Sequence, residues 1–274
     1  MKNSPQDPHL VVYGHPHTRV GRVVWLLEEL DLPHIIESID FFDDRYDDKN
    51  AGNRRVPFLI DHKTDSRIFE SLAINTWLLQ TYGSQSSLSP QSSQEWADTL
   101  KWSFWAMTEL DPLLFEGLMY NDGVGHILSS ETYYAGYFDR KRTTERRDRI
   151  TRELEFPLSV LDSALKKGGG WLTGERFTGA DLNVASVAFW VVFQAGNSQL
   201  GDPAERFPDF SIWLNQCMDR EHSPLKRILR DRASDAPGAQ IDWARARQAA
   251  DERVRRGGAL SDPGAVLANR SVSE

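Results

Sequence analysis

The hydrophobic period of this chain changes once, at the Ser-, Gln-, Gly- and Pro-containing stretch from Gly83 to Ser93. Before that stretch, short apolar runs alternate with helical patterns. After it, every strong pattern is helical. Such a change predicts an α/β unit followed by an all-α unit, with the boundary in the polar stretch. The expected divisions are 9–83 for the α/β unit, 84–93 for a linker, 94–230 for the helical unit, and 231–274 for a charged, partly disordered extension.

The N-terminal pattern is specific. Leu10-Val11-Val12-Tyr13 is a short apolar run rich in β-branched residues, which reads as a buried strand. Gly14 to His17 breaks it. Val20, Val23, Val24, Leu27 and Leu30 then follow helical spacing, with Thr18 as the N-cap and Glu28 and Glu29 on the wet side. His34 to Ile39 reads as a second strand, and strand, helix, strand over so short a span predicts a parallel βαβ unit. Pro57 opens a third strand, Phe58 to Ile60. The turn Asp61 to Asp65 leads to a fourth at Ile68 and Phe69, close enough to form an antiparallel hairpin. A helix from Ser71 to Tyr82 faces inward through Leu72, Ile74, Leu78 and Leu79, with Gly83 just past its end.

In the second half, Trp96, Leu100, Phe104, Met107, Leu110 and Leu114 mark one helical stripe. Arg140 to Arg152 reads as a solvated helix face that continues inward from Leu154 to Leu165 and stops at Gly168-Gly169-Gly170. Thr178-Gly179-Ala180-Asp181 precedes an apolar helix, Leu182 to Phe193. The Ser/Thr-x-x-Asp/Glu spacing makes Asp181 a capping residue. Pro208 to Met218 is a further helix.

Composition narrows the function. A formal net charge of -8 disfavours a general nucleic-acid binder. No apolar run approaches the roughly 18 residues needed to span a membrane. The single cysteine, Cys217, can form neither an internal disulfide nor a Cys-x-x-Cys pair. With a polar N-terminus that lacks a signal-peptide core, the expected location is the cytoplasm. His15 and His17 have no third partner in sequence, so no metal site is expected.

Four features occur in order: Thr18 at a helix start, Val56-Pro57 before a strand, Glu70-Ser71 at a second helix start, and Thr178 to Asp181 in the helical half. Together they resemble the soluble (cytosolic) glutathione transferases over roughly Leu10 to Leu225. The stretch Thr18-Arg19-Val20-Gly21-Arg22-Val23-Val24-Trp25-Leu26-Leu27-Glu28-Glu29-Leu30 is similar to the first helix of the serine/threonine-type branch, with threonine where serine is common. Phe69-Glu70-Ser71-Leu72-Ala73-Ile74 and Phe177-Thr178-Gly179-Ala180-Asp181 resemble the family's other two signatures.

The resemblance implies a thioredoxin-like domain that binds glutathione, followed by a helical bundle domain that receives an apolar electrophile. It implies a cis bond at Pro57, with the Val56 backbone pairing the cysteinyl part of glutathione. Glu70 and Ser71 would hold the γ-glutamyl end, Thr18 would face the sulfur, and the chain would form a homodimer. Arg19, Arg22, Arg54 and Arg55 are each candidates for the glycyl carboxylate. Arg55 is preferred because it directly precedes Val56-Pro57. Trp105 and Tyr120 are candidate walls of the acceptor pocket.

The chemistry suits those residue types. A helix start offers N–H groups and partial positive charge to a carboxylate, while Glu70 matches an ammonium group. A free thiol has a pKa of about 8.5, and its thiolate is the nucleophile. A hydroxyl donating to a charged acceptor contributes roughly 1.5–3 kcal/mol, so Thr18 would lower the thiol pKa by about one to two units. The expected activity is thiolate attack on an electrophilic carbon. Isomerisation, dehalogenation and ether cleavage would use the same thiolate. A non-catalytic binding module would use the same fold, although retention of Thr18, Glu70 and Ser71 speaks against it.

Overall fold

The computed structural model describes residues 8–16, 18–38, 55–118, 144–191 and 202–228. Its first part is a four-stranded sheet in the order β2-β1-β3-β4. The strands are β1 (Leu10–Tyr13), β2 (His34–Glu37), β3 (Phe58–Asp61) and β4 (Ser66–Phe69). β1 runs parallel to β2 and antiparallel to β3, and β3 is antiparallel to β4. The central strands are buried at every position, whereas β2 and β4 alternate between half-buried and exposed. That is the pattern of inner and edge strands. β2 ends at Glu37, and Ile39 lies outside the described residues.

Helices α1 (Val20–Glu29) and α2 (Ser71–Thr81) pack against each other beside this sheet. Leu10, Val12 and Leu59 share a core with Val20, Val23, Val24, Leu27, Ile74 and Leu78. Val11, Tyr13, Phe58 and Ile60 form a separate cluster on the other face. Every residue of α1 from Val20 to Leu27 is buried, because the helical domain covers the side turned away from the sheet. This corrects the expectation for Glu29. Its side chain is only 5% exposed and pairs with Arg220, at 2.7 Å to each nitrogen, while the Trp25 indole donates to it at 3.0 Å.

The helical domain contains α3 (Ser93–Trp105), a π-helical turn (Ala106–Leu110) and α4 (Asp111–Leu118) as one continuous rod. Among the described residues it also contains α5 (Thr144–Lys167), α6 (Gly179–Ala188), the short α7 (Pro203–Arg206) and α8 (Pro208–Met218). The inward line of the rod is Thr99, Ser103, Ala106, Leu110 and Leu114. The expected stripe was therefore one position out of phase through α3, and Phe104 is 65% exposed. Small side chains at 99, 103 and 106 let α6 approach closely, a fit that a hydrophobicity pattern does not register. The helix expected to run from the charged stretch ending at Arg152 on through Leu154 to Leu165 is α5, which continues through Pro157.

α6 begins with a capping box between Thr178 and Asp181. Asp181 is fully buried and does more than cap. Its carboxylate accepts from Thr178 N at 2.9 Å, from Thr178 Oγ1 at 3.0 Å, from Leu172 N at 3.0 Å and from Trp213 Nε1 at 3.0 Å. It joins the start of α6 to α8 and to the segment before Phe177. Cys217 is fully buried nearby, and burial pushes its thiol well above the ordinary value.

Asp181→Ala would leave three N–H groups buried without their acceptor, each worth about 1–3 kcal/mol. Urea unfolding should show a loss of at least about 3 kcal/mol in stability. A loss below about 1 kcal/mol would contradict this role for Asp181.

Candidate active site

Strand register brings the predicted site residues to one end of the sheet. Tyr13, the last residue of β1, pairs with Phe58, the first residue of β3. Phe58 in turn pairs with Phe69, the last residue of β4. The turn after β1, the Val56-Pro57 step before β3 and the Glu70-Ser71 step after β4 therefore lie side by side. Gly14 shows how tightly they converge. It has φ +125°, and a Cβ there would sit 2.6 Å from Val20 Cγ2 and 2.9 Å from Val56 Cγ1. Only glycine lets the β1–α1 turn pass between them.

The Val56-Pro57 peptide bond is cis, the geometry that the resemblance implied. Glu70 has φ 72° and ψ 114°, a region that non-glycine residues seldom occupy. Strain of this kind amounts to roughly 1–3 kcal/mol and concentrates at functional positions. It turns the chain sharply out of β4, so that the Glu70 side chain is exposed while Ser71, the first residue of α2, is 2% exposed.

Thr18 differs from expectation in one respect. α1 starts at Val20 with Arg19 in the N-cap position, so Thr18 sits one residue earlier. Its hydroxyl donates to the His15 carbonyl at 2.7 Å and accepts from Val20 N at 3.3 Å. The hydroxyl's single proton is thus already in use, by the turn that shapes the loop. The Thr18 carbonyl accepts from Gly21 N at 3.0 Å. The first N–H groups of α1 are therefore occupied locally.

The arginines divide. Arg55 is exposed beside Val56. Arg54, His17 and Tyr120 lie outside the described residues. Arg19 is engaged by the Asp111 carboxylate through Nη2. Arg22, 4% exposed, reaches the same carboxylate with Nη2 2.6 Å from Oδ1. Its Nη1 lies 3.2 Å from Met107 Sδ and 3.5 Å from Ser71 Oγ. The Arg22 carbonyl accepts from Asn75 Nδ2 at 3.2 Å, and Asn75 also donates to Asn183, which donates to Ser103. Trp105 is half-buried and packs edge-on against Trp102, with ring centroids 5.3 Å apart. Among the described residues no group of three metal-binding side chains occurs.

Burial pulls the Arg22 pKa down, with Asp111 opposing it. Burial also pushes the Asp111 carboxyl up, but the charges and hydrogen bonds of Arg22 and Arg19 prevail and hold it below its ordinary value. Asp111 was not picked out from sequence. The available signal was a charge inside an apolar helical run: Asp111 in Leu110-Asp111-Pro112-Leu113-Leu114 and Arg22 in Val20-Gly21-Arg22-Val23-Val24. Opposite charges in two such runs invite a buried pair.

The family model for the glutathione S-transferase N-terminal domain matches residues 19–81, and that for the C-terminal domain matches residues 128–221. Together they span more than half of the chain. The glutathione S-transferase-like protein OpS6 of Beauveria bassiana is 26% identical over 78% of this chain and 90% of its own. The disulfide-bond oxidoreductase YfcG of Escherichia coli is 26% identical over 82% of this chain and 99% of its own. Ure2p5 of Phanerochaete chrysosporium, cocrystallized with 1-(S-glutathionyl)-2,4-dinitrobenzene, shares the fold with a TM-score of 0.67. It is 20% identical, and the alignment covers 86% of this chain and 100% of Ure2p5.

The lowered pKa of Asp111 gives a signed pH dependence. Its stabilisation is complete above the unfolded value of about 3.9 and fades as pH falls through the folded value. Breaking a buried pair costs about 3–5 kcal/mol, so Asp111→Asn should be destabilised by that order at pH 7. The gap to wild type should narrow as pH falls below about 4. A gap that stays constant or widens on acidification in urea titrations would contradict this.

Proposed function

Because the chain belongs to the glutathione S-transferase family, we propose that it binds glutathione at this end of the sheet and directs its thiolate at an apolar electrophile. The observation that carries the reading is the convergence of the cis Val56-Pro57 step, the strained Glu70 and the buried Ser71 at the end of the sheet where the β1–α1 turn, which carries Thr18, begins. In this reading the Val56 backbone pairs with the cysteinyl unit, as an extended backbone segment can. The start of α2 and the Ser71 hydroxyl take the γ-glutamyl carboxylate. The exposed Glu70 carboxylate takes the α-ammonium group, and Arg55 takes the glycyl carboxylate.

Thr18 stabilises the thiolate by turning its hydroxyl away from the His15 carbonyl, so that the O–H, keeping its proton, donates a hydrogen bond to the sulfur. The gain is the difference between a charge-assisted bond of roughly 1.5–3 kcal/mol and a neutral one of about 0.5–1.5. That difference lowers the thiol pKa by about one unit. Thr18 is therefore a hydrogen-bond donor and not a base. Conjugation is supported by the glutathione conjugate cocrystallized with Ure2p5.

A second reading turns the same thiolate on a disulfide. Similarity to the disulfide-bond oxidoreductase favours it, and the burial of Cys217, the chain's one cysteine, leaves glutathione to supply the reacting sulfur. A homodimer is part of the proposal, because Phe69 at the edge strand and Phe104 on α3 are 48% and 65% exposed.

Glutathione-agarose retention followed by assays with chlorodinitrobenzene and with a mixed glutathione disulfide tests the reading. Retention with conjugation is expected, retention with disulfide reduction alone selects the second reading, and no retention rejects both. Thr18→Val should leave glutathione affinity within severalfold and raise the bound thiol's pKa by about one unit, read by thiolate absorbance. An unchanged titration would remove Thr18 from the mechanism. Light scattering should give twice the chain mass, and Phe104→Glu should shift it towards one chain; wild type at one chain mass would reject the dimer.

A further inference from the structure

Ser71 stands at the start of α2, where the proposed γ-glutamyl subsite lies, and a cation from another helix reaches its hydroxyl. Arg22 of α1 is fully buried, with Nη1 3.5 Å from Ser71 Oγ, 3.2 Å from Met107 Sδ, and Nη2 2.6 Å from Asp111 Oδ1. Met107 lies in the π-helical turn and Asp111 follows it directly, so the helical domain supplies both. π-helical turns are frequent at functional positions because they re-aim the side chains that follow.

The donor inventory gives this contact a direction. A guanidinium can only donate, and a serine hydroxyl has one proton and two lone pairs. When Arg22 occupies a lone pair of Ser71, the hydroxyl proton is left to point elsewhere. A carboxylate is the acceptor that a helix N-terminus with a buried cation behind it would favour. At 3.5 Å the bond is long, so its worth depends on how firmly Arg22 is held. Two anchors hold it. Asn75, one helical turn after Ser71, donates to the Arg22 carbonyl at 3.2 Å. Asp111 holds the guanidinium and also separates it from Arg19, whose like charge would otherwise repel it.

We propose that Asp111 is a positioning residue of the glutathione site: from the helical domain it holds the Arg22 guanidinium against Ser71, which presets the Ser71 hydroxyl as donor to the α-carboxylate of the γ-glutamyl group. This rests on the glutathione reading above. It makes the carboxylate end of the site, and not the thiol end, the part that depends on the docking of the two domains.

The test is calorimetric titration of wild type, Asp111→Asn and Asp111→Glu, each with Ser71 and with Ser71→Ala, using two ligands. One is glutathione. The other is γ-aminobutyryl-cysteinyl-glycine, which keeps the amine and thiol but lacks the α-carboxylate. Asp111→Asn should weaken glutathione by on the order of tenfold, the range of one charge-assisted hydrogen bond. It should leave the analogue within about twofold. Asp111→Glu should recover most of the loss, and with Ser71→Ala the Asp111→Asn effect should vanish.

Equal losses on both ligands would overturn the proposal in favour of general damage to the fold. Tighter glutathione binding would overturn it too, since Asp111 would then merely screen a cation. A loss that persists undiminished with Ser71→Ala would show that Arg22 does not act through Ser71. If Asp111→Asn does not fold, Arg22→Lys, which keeps the charge and loses the fork, is read by the same outcomes. Wild type that binds neither ligand would reject the glutathione reading itself. Wild type that binds both, with variants that do not discriminate between them, would reject only this inference.

Discussion

The register of three strands governs everything that follows from this fold. Tyr13, Phe58 and Phe69 lie across from one another at one end of the sheet, so three chain segments far apart in sequence end together. A slip of one residue in either pairing would flip every side chain of a strand to the opposite face. It would also move the cis Val56-Pro57 step away from Gly14 or the start of α2 away from both. The register is pinned by burial. β1 and β3 are enclosed on both faces, with Leu10, Val12 and Leu59 on one side and Val11, Tyr13, Phe58 and Ile60 on the other.

The helical domain is joined to this sheet domain by polar contacts as well as by packing. Asp111 receives Arg19 and Arg22, Glu29 receives Arg220, and Asn75 reaches Asn183. Buried ion pairs contribute little net stability compared with well-packed apolar residues, but they are strongly destabilising when half removed. Their effect here is to fix orientation. Apolar side chains between α1 and α6 could slide against one another, whereas a carboxylate held by Arg22 on one oxygen and Arg19 on the other has few alternative positions. That contact lies directly behind Ser71, so domain orientation and site geometry are set by the same side chains.

Much of this was legible in the sequence because it rests on local chemistry. Alternation of short apolar runs located the four strands, Pro57 and Glu70-Ser71 located the turns, and the Thr178–Asp181 spacing located a capping box that the structure contains. What escaped was long-range or sub-residue in scale. The phase of α3 and the turn after it is set by the buried Thr99, Ser103 and Ala106, whose side chains are small and not strongly hydrophobic. Glu29 looked solvated because its partner, Arg220, is 191 residues away. The Thr18 hydroxyl looked available because nothing in a linear sequence shows that the His15 carbonyl folds back to within 2.7 Å of it. Asp111 was visible only as a charge in the wrong place.

The central claim is that the sheet end formed by residues 18, 56, 57, 70 and 71 is a glutathione site whose thiol end is at Thr18. A crystal structure of the chain soaked with glutathione tests it most directly. The account predicts the tripeptide with its γ-glutamyl carboxylate on Ser71, its cysteinyl backbone along Val56, and its sulfur within hydrogen-bond reach of Thr18 Oγ1, turned away from the His15 carbonyl. A tripeptide bound elsewhere, or one whose sulfur points away from Thr18 while its hydroxyl stays on His15, would contradict it.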